Sequence, residues 1–340
     1  MTNSIRICFV TVCAALIGPA AGAQSLPAVQ PTKTLSLELP RHGLVDRAPV
    51  VSAVAVDAAR RRVVTAGDDH MVRVWRMDDG GIVYEAPLHG DWIRTAAVRP
   101  DGRMLATAGH DQKIRLWDTT SQRVAQELFL GAEAVLAMCY SPDGAMLAVS
   151  GFDSGVRLLD GRTGQLMQTL DAPGNDNRAL RFSPDGAVLA VGGRSGVVRL
   201  FSPTSGAALM DLETGGRRIG AIAFSPDGSL LACGGDSRAV YLYRVSGQPA
   251  GQFPEQPGAV TALEFCGPDR LAVGRSNNTL TLWSVQSAAP QSALTGHTGT
   301  IAALCWDAQS QSLLTGGFDT KVRIYVLGAA AVANTRVQSR

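Results

Sequence analysis

The sequence predicts an all-β repeat protein, a propeller or solenoid built from seven copies of one four-stranded unit. Three observations predict it: a repeat of about 42 residues, a tight-turn motif in phase with that repeat, and short β-type runs with no helical period.

The repeat is read by laying the chain on itself. Thr-Ala-Gly-Asp-Asp-His-Met-Val-Arg-Val-Trp ends at Trp75, and Thr-Ala-Gly-His-Asp-Gln-Lys-Ile-Arg-Leu-Trp ends at Trp117. Equivalent segments end at Leu159, Phe201, Tyr243, Trp283 and Tyr325, at intervals of 42 residues except for one of 40. Pro-Asp-Gly recurs in phase, at Pro100–Gly102, Pro142–Gly144, Pro184–Gly186 and Pro226–Gly228. Proline presets φ at the second position of a tight turn, and glycine accepts the positive φ that follows.

Between these turns the runs are short, apolar and rich in β-branched or aromatic residues, as in Ala187–Val191 and Val197–Phe201. Repeat two exemplifies four strands: Arg94–Val98, Met104–Ala108, Lys113–Trp117 and Arg123–Leu128. A linear array of such sheets would leave edges exposed, whereas a closed ring largely removes them. Repeat seven supplies three strands and stops at Val326. Thr34–Leu39 alternates apolar and polar residues and has no blade of its own, so it is expected to pair onto the last blade as its fourth strand.

The ends of the chain read differently. Residues 1–23 have the form of a secretory leader. Arg6 supplies the positive start, Ile7–Gly18 is uninterruptedly apolar, and Ala21-Gly22-Ala23 offers small residues for cleavage after Ala23. The apolar run is too short to span a bilayer, and Val12 before Cys13 does not suit lipidation. The expectation is an exported protein, periplasmic or secreted, that does not span the membrane. Residues 24–33 read as a linker, 34–326 as the propeller and 327–340 as a tail.

Composition excludes some function classes. Apolar residues make up 46% of the 340, enough for a large core, and the formal charge is only +2. Losing Arg6 with the leader brings the balance nearer zero, so no electrostatic footprint for nucleic acid is expected. Cys139, Cys233, Cys266 and Cys305 remain after the leader, each in or at the end of an apolar run and with no Cys-x-x-Cys spacing. Buried free thiols are expected, although an exported compartment permits disulfides.

Trp117-Asp118 closes repeat two, Gly296-His297 opens repeat seven, and the Pro-Asp-Gly turns lie between, over roughly Thr34 to Val326. In these residues the chain resembles the WD40 repeat family, which implies a seven-bladed β-propeller of four-stranded antiparallel blades packed radially around a channel, its ring closed by the N-terminal strand. The resemblance implies a hydrogen-bonded network of His, Ser/Thr, Asp and Trp within a blade. Repeat two carries it as His89, Thr107, Asp111 and Trp117; repeat seven has His297, Thr315 and Asp319 with Tyr325. Repeat one has Arg47 at the His position, and repeats three to six depart further, with Leu159, Phe201 and Tyr243 replacing Trp. A His–Asp–Thr set could suggest a hydrolase triad, but no oxyanion arrangement accompanies it, so a structural role is expected. The recurring Arg73, Arg115, Arg157, Arg199 and Arg323 belong to the same repeat and are read as balanced by nearby acids, not as a nucleic-acid stripe.

The resemblance also places the loops before each first strand, and those between second and third strands, on one face where partners dock. There the chain offers Trp92, Arg94, His110, Phe152, Arg178, Arg194, Arg218 and Phe318. Aromatic and Arg side chains are enriched in binding hot spots, and Arg suits carboxylates. The expected function is a non-catalytic protein-binding scaffold of the cell envelope: a monomeric propeller within a larger complex, holding a protein or peptide of acidic character, with no cofactor or metal. The alternative is a propeller enzyme or cofactor or metal carrier using the central channel. That would need axial His, Asp or Glu, and only five His exist.

Overall fold

A strand sandwiched between neighbouring sheets must bury both of its faces, which is why the middle strands of each repeat are almost wholly apolar. A computed structural model describes the protein at residues 26–36, 50–57, 60–129, 131 and 134–328. These residues form seven sheets and no α-helix, and so contain no helix long and apolar enough to cross a membrane. Blade two shows the plan, running outward from Ile93–Val98 through Met104–Gly109 and Lys113–Asp118 to Arg123–Phe129. Its second strand is buried throughout, while its outermost strand is exposed at almost every position.

The turn reading holds in detail. Gly102, Gly144, Gly186 and Gly228 take φ of 67°, 70°, 73° and 72°, where a side chain would be strained. In the third of these turns the Ser183 hydroxyl donates to Asp185 at 2.5 Å, and the Val188 N–H donates to Ser183 Oγ at 2.9 Å. The turn thus joins the first two strands of the blade through its own side chains.

The core is divided into wedges between adjacent blades. Leu116, Leu147 and Val149 pack between blades two and three, and Leu180, Leu158 and Phe201 between three and four. The seventh wedge closes the circle: Val51, Val54 and Trp75 of blade one pack against Leu314, Val322 and Ile324 of blade seven.

The first described residues fasten this closure. Lys33–Ser36 lies antiparallel on Lys321–Val326, with Thr34 opposite Arg323, and so provides the fourth strand of blade seven. The Lys33 ammonium then donates to the Met77 and Asp78 carbonyls of blade one at 3.0 and 2.8 Å. The expected strand, Thr34–Leu39, begins one residue earlier than predicted, and Leu37–Leu39 lie outside the described residues. Within the segment read as linker, Ala28–Val29 forms a short strand parallel to Ala289–Leu294, so blade six has five strands where four were expected. Two residues carry no periodicity, so the sequence held no signal for this pairing. The leader, Arg47 and residues 329–340 of the tail lie outside the described residues.

Deleting residues 26–36 should strip the edge from blade seven and untie it from blade one. At about 1 kcal/mol per backbone hydrogen bond lost, stability should fall by on the order of 3–5 kcal/mol in chemical denaturation.

Candidate binding face and central channel

Within blade two, strand and turn geometry bring His89, Thr107 and Asp111 together. The imidazole lies 2.9 Å from Asp111 Oδ2 through Nδ1 and 2.9 Å from Thr107 Oγ1 through Nε2. Burial, the largest influence, lowers the His89 pKa against the pull of Asp111, so the ring is neutral near pH 7. A neutral ring has one N–H. Nδ1–H donating to Asp111, with Nε2 accepting from the Thr107 hydroxyl, satisfies all three groups. Blade seven repeats the arrangement, with His297 3.0 Å from Asp319 and 2.6 Å from Thr315.

Trp117 does not join this network as expected. Its ring instead packs tilted against Tyr84, with centroids 4.6 Å apart, and the indole makes no described bond to Thr107. The indole-to-threonine bond is present in blade one, where Trp75 Nε1 donates to Thr65 at 2.8 Å. Where the network is missing, apolar packing replaces it: Trp283 stacks on Phe253 at 4.8 Å, and Leu159 and Phe201 are buried.

The repeating arginines are consumed by ion pairs. Arg73 meets Asp69 at 2.7 Å, Arg115 meets Asp111 at 2.8 Å and Glu127 at 2.8 Å, and Arg157 meets Asp153 at 2.6 Å. Arg199 pairs with Asp211 at 2.7 Å and Arg323 with Asp319 at 2.8 Å. A partner anion would have to displace a carboxylate at each of these positions.

The mouth of the central channel is different, and a backbone feature makes it so. In six blades the first pairing of the innermost strand shifts register by one residue, as between Ile93 and Thr95 in blade two. Such a bulge takes one residue out of the ladder and re-aims its side chain. That residue is Arg94 in blade two; in blade four the matching position, just before Ala179–Phe182, is Arg178. Both line the channel, whose volume is about 220 Å³.

Five of the eight predicted loop-face residues fall into one arc. The Arg94 guanidinium sits 4.6 Å from the centre of the Trp92 ring, and Trp92 lies 5.6 Å from His110. Burial, with repulsion from Arg178, lowers the Arg94 pKa against the opposing effect of Asp176. Asp176 is itself shared, 2.5 Å from Arg178 and 3.4 Å from Arg218. Phe152 and Arg194 border the arc through backbone bonds, since the Asp176 N–H donates to the Phe152 carbonyl and the Arg194 N–H to the Asn175 carbonyl. Phe318 stands apart on blade seven, 42% exposed.

Deeper in the channel are residues that the sequence reading missed. At one level the seven innermost strands present Ala55, Ala97, Cys139, Arg181, Ala223, Glu264 and Cys305. Arg181 of blade four reaches across to Glu264 of blade six at 2.5 Å. Burial pushes the Glu264 pKa up while Arg181 counters it, and the Glu264 charge raises that of Arg181. The signal was available, because both occupy a repeat position that elsewhere holds Ala or Cys. Arg275 is the second omission. It stands where the other blades have Gly67, Gly109, Gly151, Gly193, Gly235 and Gly317, is 2% exposed, and has its pKa lowered to about 10 by burial. Its guanidinium donates to the Arg238 and Gly258 carbonyls at 2.8 and 3.0 Å.

The four described cysteines are free, with Cys233 and Cys266 buried and Cys139 and Cys305 partly so. Burial raises the Cys139, Cys233 and Cys305 thiols to about 12. Among the described residues no group of three or more His, Cys, Asp or Glu is placed to hold a metal ion.

Comparison with known families agrees with this architecture. The family model described as WD domain, G-beta repeat matches residues 33–76, 82–118, 126–160 and 164–202. The model described as the WD40 domain of anaphase-promoting complex subunit 4 matches residues 222–309.

The network predicts an acid limb of stability. Burial alone would raise the Asp111 pKa, but the bonds from Arg115 and His89 outweigh it and hold the carboxyl at about 2; Asp319 is held at about 2 by His297 and Thr298 in the same way. A depressed carboxylate stabilises the fold above its unfolded pKa near 4 and loses that contribution as pH falls towards 2, about 2 kcal/mol per group. Asp111→Ala should therefore cost about 1.5–3 kcal/mol at pH 7 and show a shallower loss between about pH 5 and pH 2, read from urea melts across pH.

Proposed function

We propose a function from one established premise, that this chain belongs to the WD40 repeat family: it is a non-catalytic scaffold that holds an acidic protein or peptide on its loop face. WD40 propellers generally serve as protein-interaction scaffolds. The observation that carries the reading is the arc of Trp92, Arg94, His110, Arg178 and Arg218, where the arginines outnumber the carboxylates beside them. Elsewhere on the blades the recurrent arginines are matched to acids one for one or better. Phe152 and Phe318, 38% and 42% exposed, add apolar area to the same face.

The His89–Asp111–Thr107 set supports no nucleophilic role. The Thr107 hydroxyl is fully buried against His89, so no substrate atom can approach it. The leader-like start of the sequence supports an exported scaffold of the cell envelope, working as one propeller inside a larger assembly.

Two measurements test this. Phe152→Ser combined with Phe318→Ser should leave folding intact and reduce capture of partner from an envelope extract by about tenfold; undiminished capture would remove the loop face from the mechanism. N-terminal sequencing of the mature protein should begin at Gln24, and an intact Met1 would exclude export by this leader.

A further inference from the structure

We propose that the mouth of the central channel receives one carboxylate side chain of an acidic partner segment, gripped by Arg94 and Arg178 and stopped below by the Arg181–Glu264 pair. This deepens the scaffold reading and rests on it, since a protein partner supplies the side chain.

Charge is the first argument. Among the described residues, Arg94, Arg178 and Arg218 converge on Asp176, apart from a long 4.0 Å contact between Arg218 and Asp236. Asp176 is committed to Arg178 and Arg218, so among the described residues Arg94 is left with the Trp92 ring as its close partner. A carboxylate between Arg94 and Arg178 would relieve their mutual repulsion and could be held by two parallel N–H donors.

Unsatisfied donors point the same way. Trp92 Nε1 and Arg218 Nε, beside the two gripping arginines, are both enclosed without a hydrogen-bond acceptor among the described residues. A buried donor without an acceptor is costly, so a small shift of either side chain that meets an incoming oxygen atom offsets that cost. The Trp92 ring also fixes the Arg94 guanidinium before any ligand arrives, so little side-chain freedom is lost on binding.

Size and depth define the occupant. The channel volume of about 220 Å³ is below the range of pockets that take drug-sized ligands and suits a single side chain. Arg181 lies three residues further along the strand than Arg178, roughly 10 Å deeper at about 3.3 Å per residue. There its pair with Glu264 spans blades four and six, and the Glu264 carboxylate repels a second anion. The channel is therefore a blind anion receptor with its cationic end at the loop face.

The test uses the full-length mature protein and the blocked pentapeptide Ac-Gly-Ala-Glu-Ala-Gly-NH2, its Gln twin, and succinate as probes in calorimetric titrations. The Glu peptide should bind at least about tenfold more tightly than the Gln twin. Arg94→Gln or Arg178→Gln should erase that difference, while Arg61→Gln, far from the channel in an exposed pair with Asp78, should preserve it. Each variant must keep the wild-type melting temperature. If Arg94→Gln melts early, Arg94→Lys replaces it and should retain only part of the preference. Equal binding of the two peptides, or full preference in both glutamine variants, overturns the proposal. Succinate binding as tightly as the Glu peptide, with the same dependence on Arg94, overturns the protein side chain as occupant in favour of a free small carboxylate. A flat peptide titration with partner capture intact removes the channel site and leaves the scaffold standing. Peptide binding with no protein captured does the reverse.

Discussion

Every blade of this protein has two apolar faces, and neither can be buried except by another blade. That requirement makes the join between blades one and seven decisive. Val51, Val54 and Trp75 would face water if Leu314, Val322 and Ile324 did not meet them. Chain connectivity does nothing to enforce that contact, because the two blades lie at opposite ends of the propeller sequence. The antiparallel strand Lys33–Ser36 and the reach of Lys33 to blade one supply the missing link. The channel, its mouth and the loop face exist as defined surfaces only because the circle is shut.

Closure also sorts the charges. On the blade flanks, arginine and carboxylate alternate along neighbouring strands of one sheet, so each cation finds its partner within its own blade, as Arg199 finds Asp211. At the axis, seven strands from distant parts of the sequence meet, and pairing must cross between blades. Arg181 succeeds with Glu264, 83 residues away. Among the described residues Arg94 has no such counterpart.

Much of this was legible in the sequence, for physical reasons. The period is visible because each blade needs the same turns and the same buried middle strands, so Pro-Asp-Gly and the runs ending at Trp75 or Trp117 recur in phase. The ion pairing of the repeating arginines could be inferred from nearby acids. Arg181, Glu264 and Arg275 were overlooked although the aligned repeats mark each as a departure from a small residue. The orientation of Trp117 was not legible at all, since it depends on Tyr84 from the neighbouring blade. Nor was the bulge that turns Arg94 into the channel, which is a property of strand register and not of residue type.

The two-residue strand Ala28–Val29 has a consequence for how these molecules behave when crowded. An unpaired outer strand is a template on which another chain can add, and charged side chains discourage this. Arg123–Phe129, Leu166–Asp171 and Ala208–Glu213 each carry such charges, whereas Ala289–Leu294 carries none. Pro249–Phe253 is likewise uncharged, but a proline and a glycine interrupt it, whereas part of the Ala289–Leu294 rim is covered by the chain's own backbone at Ala28–Val29, which leaves a foreign strand less of it to pair with.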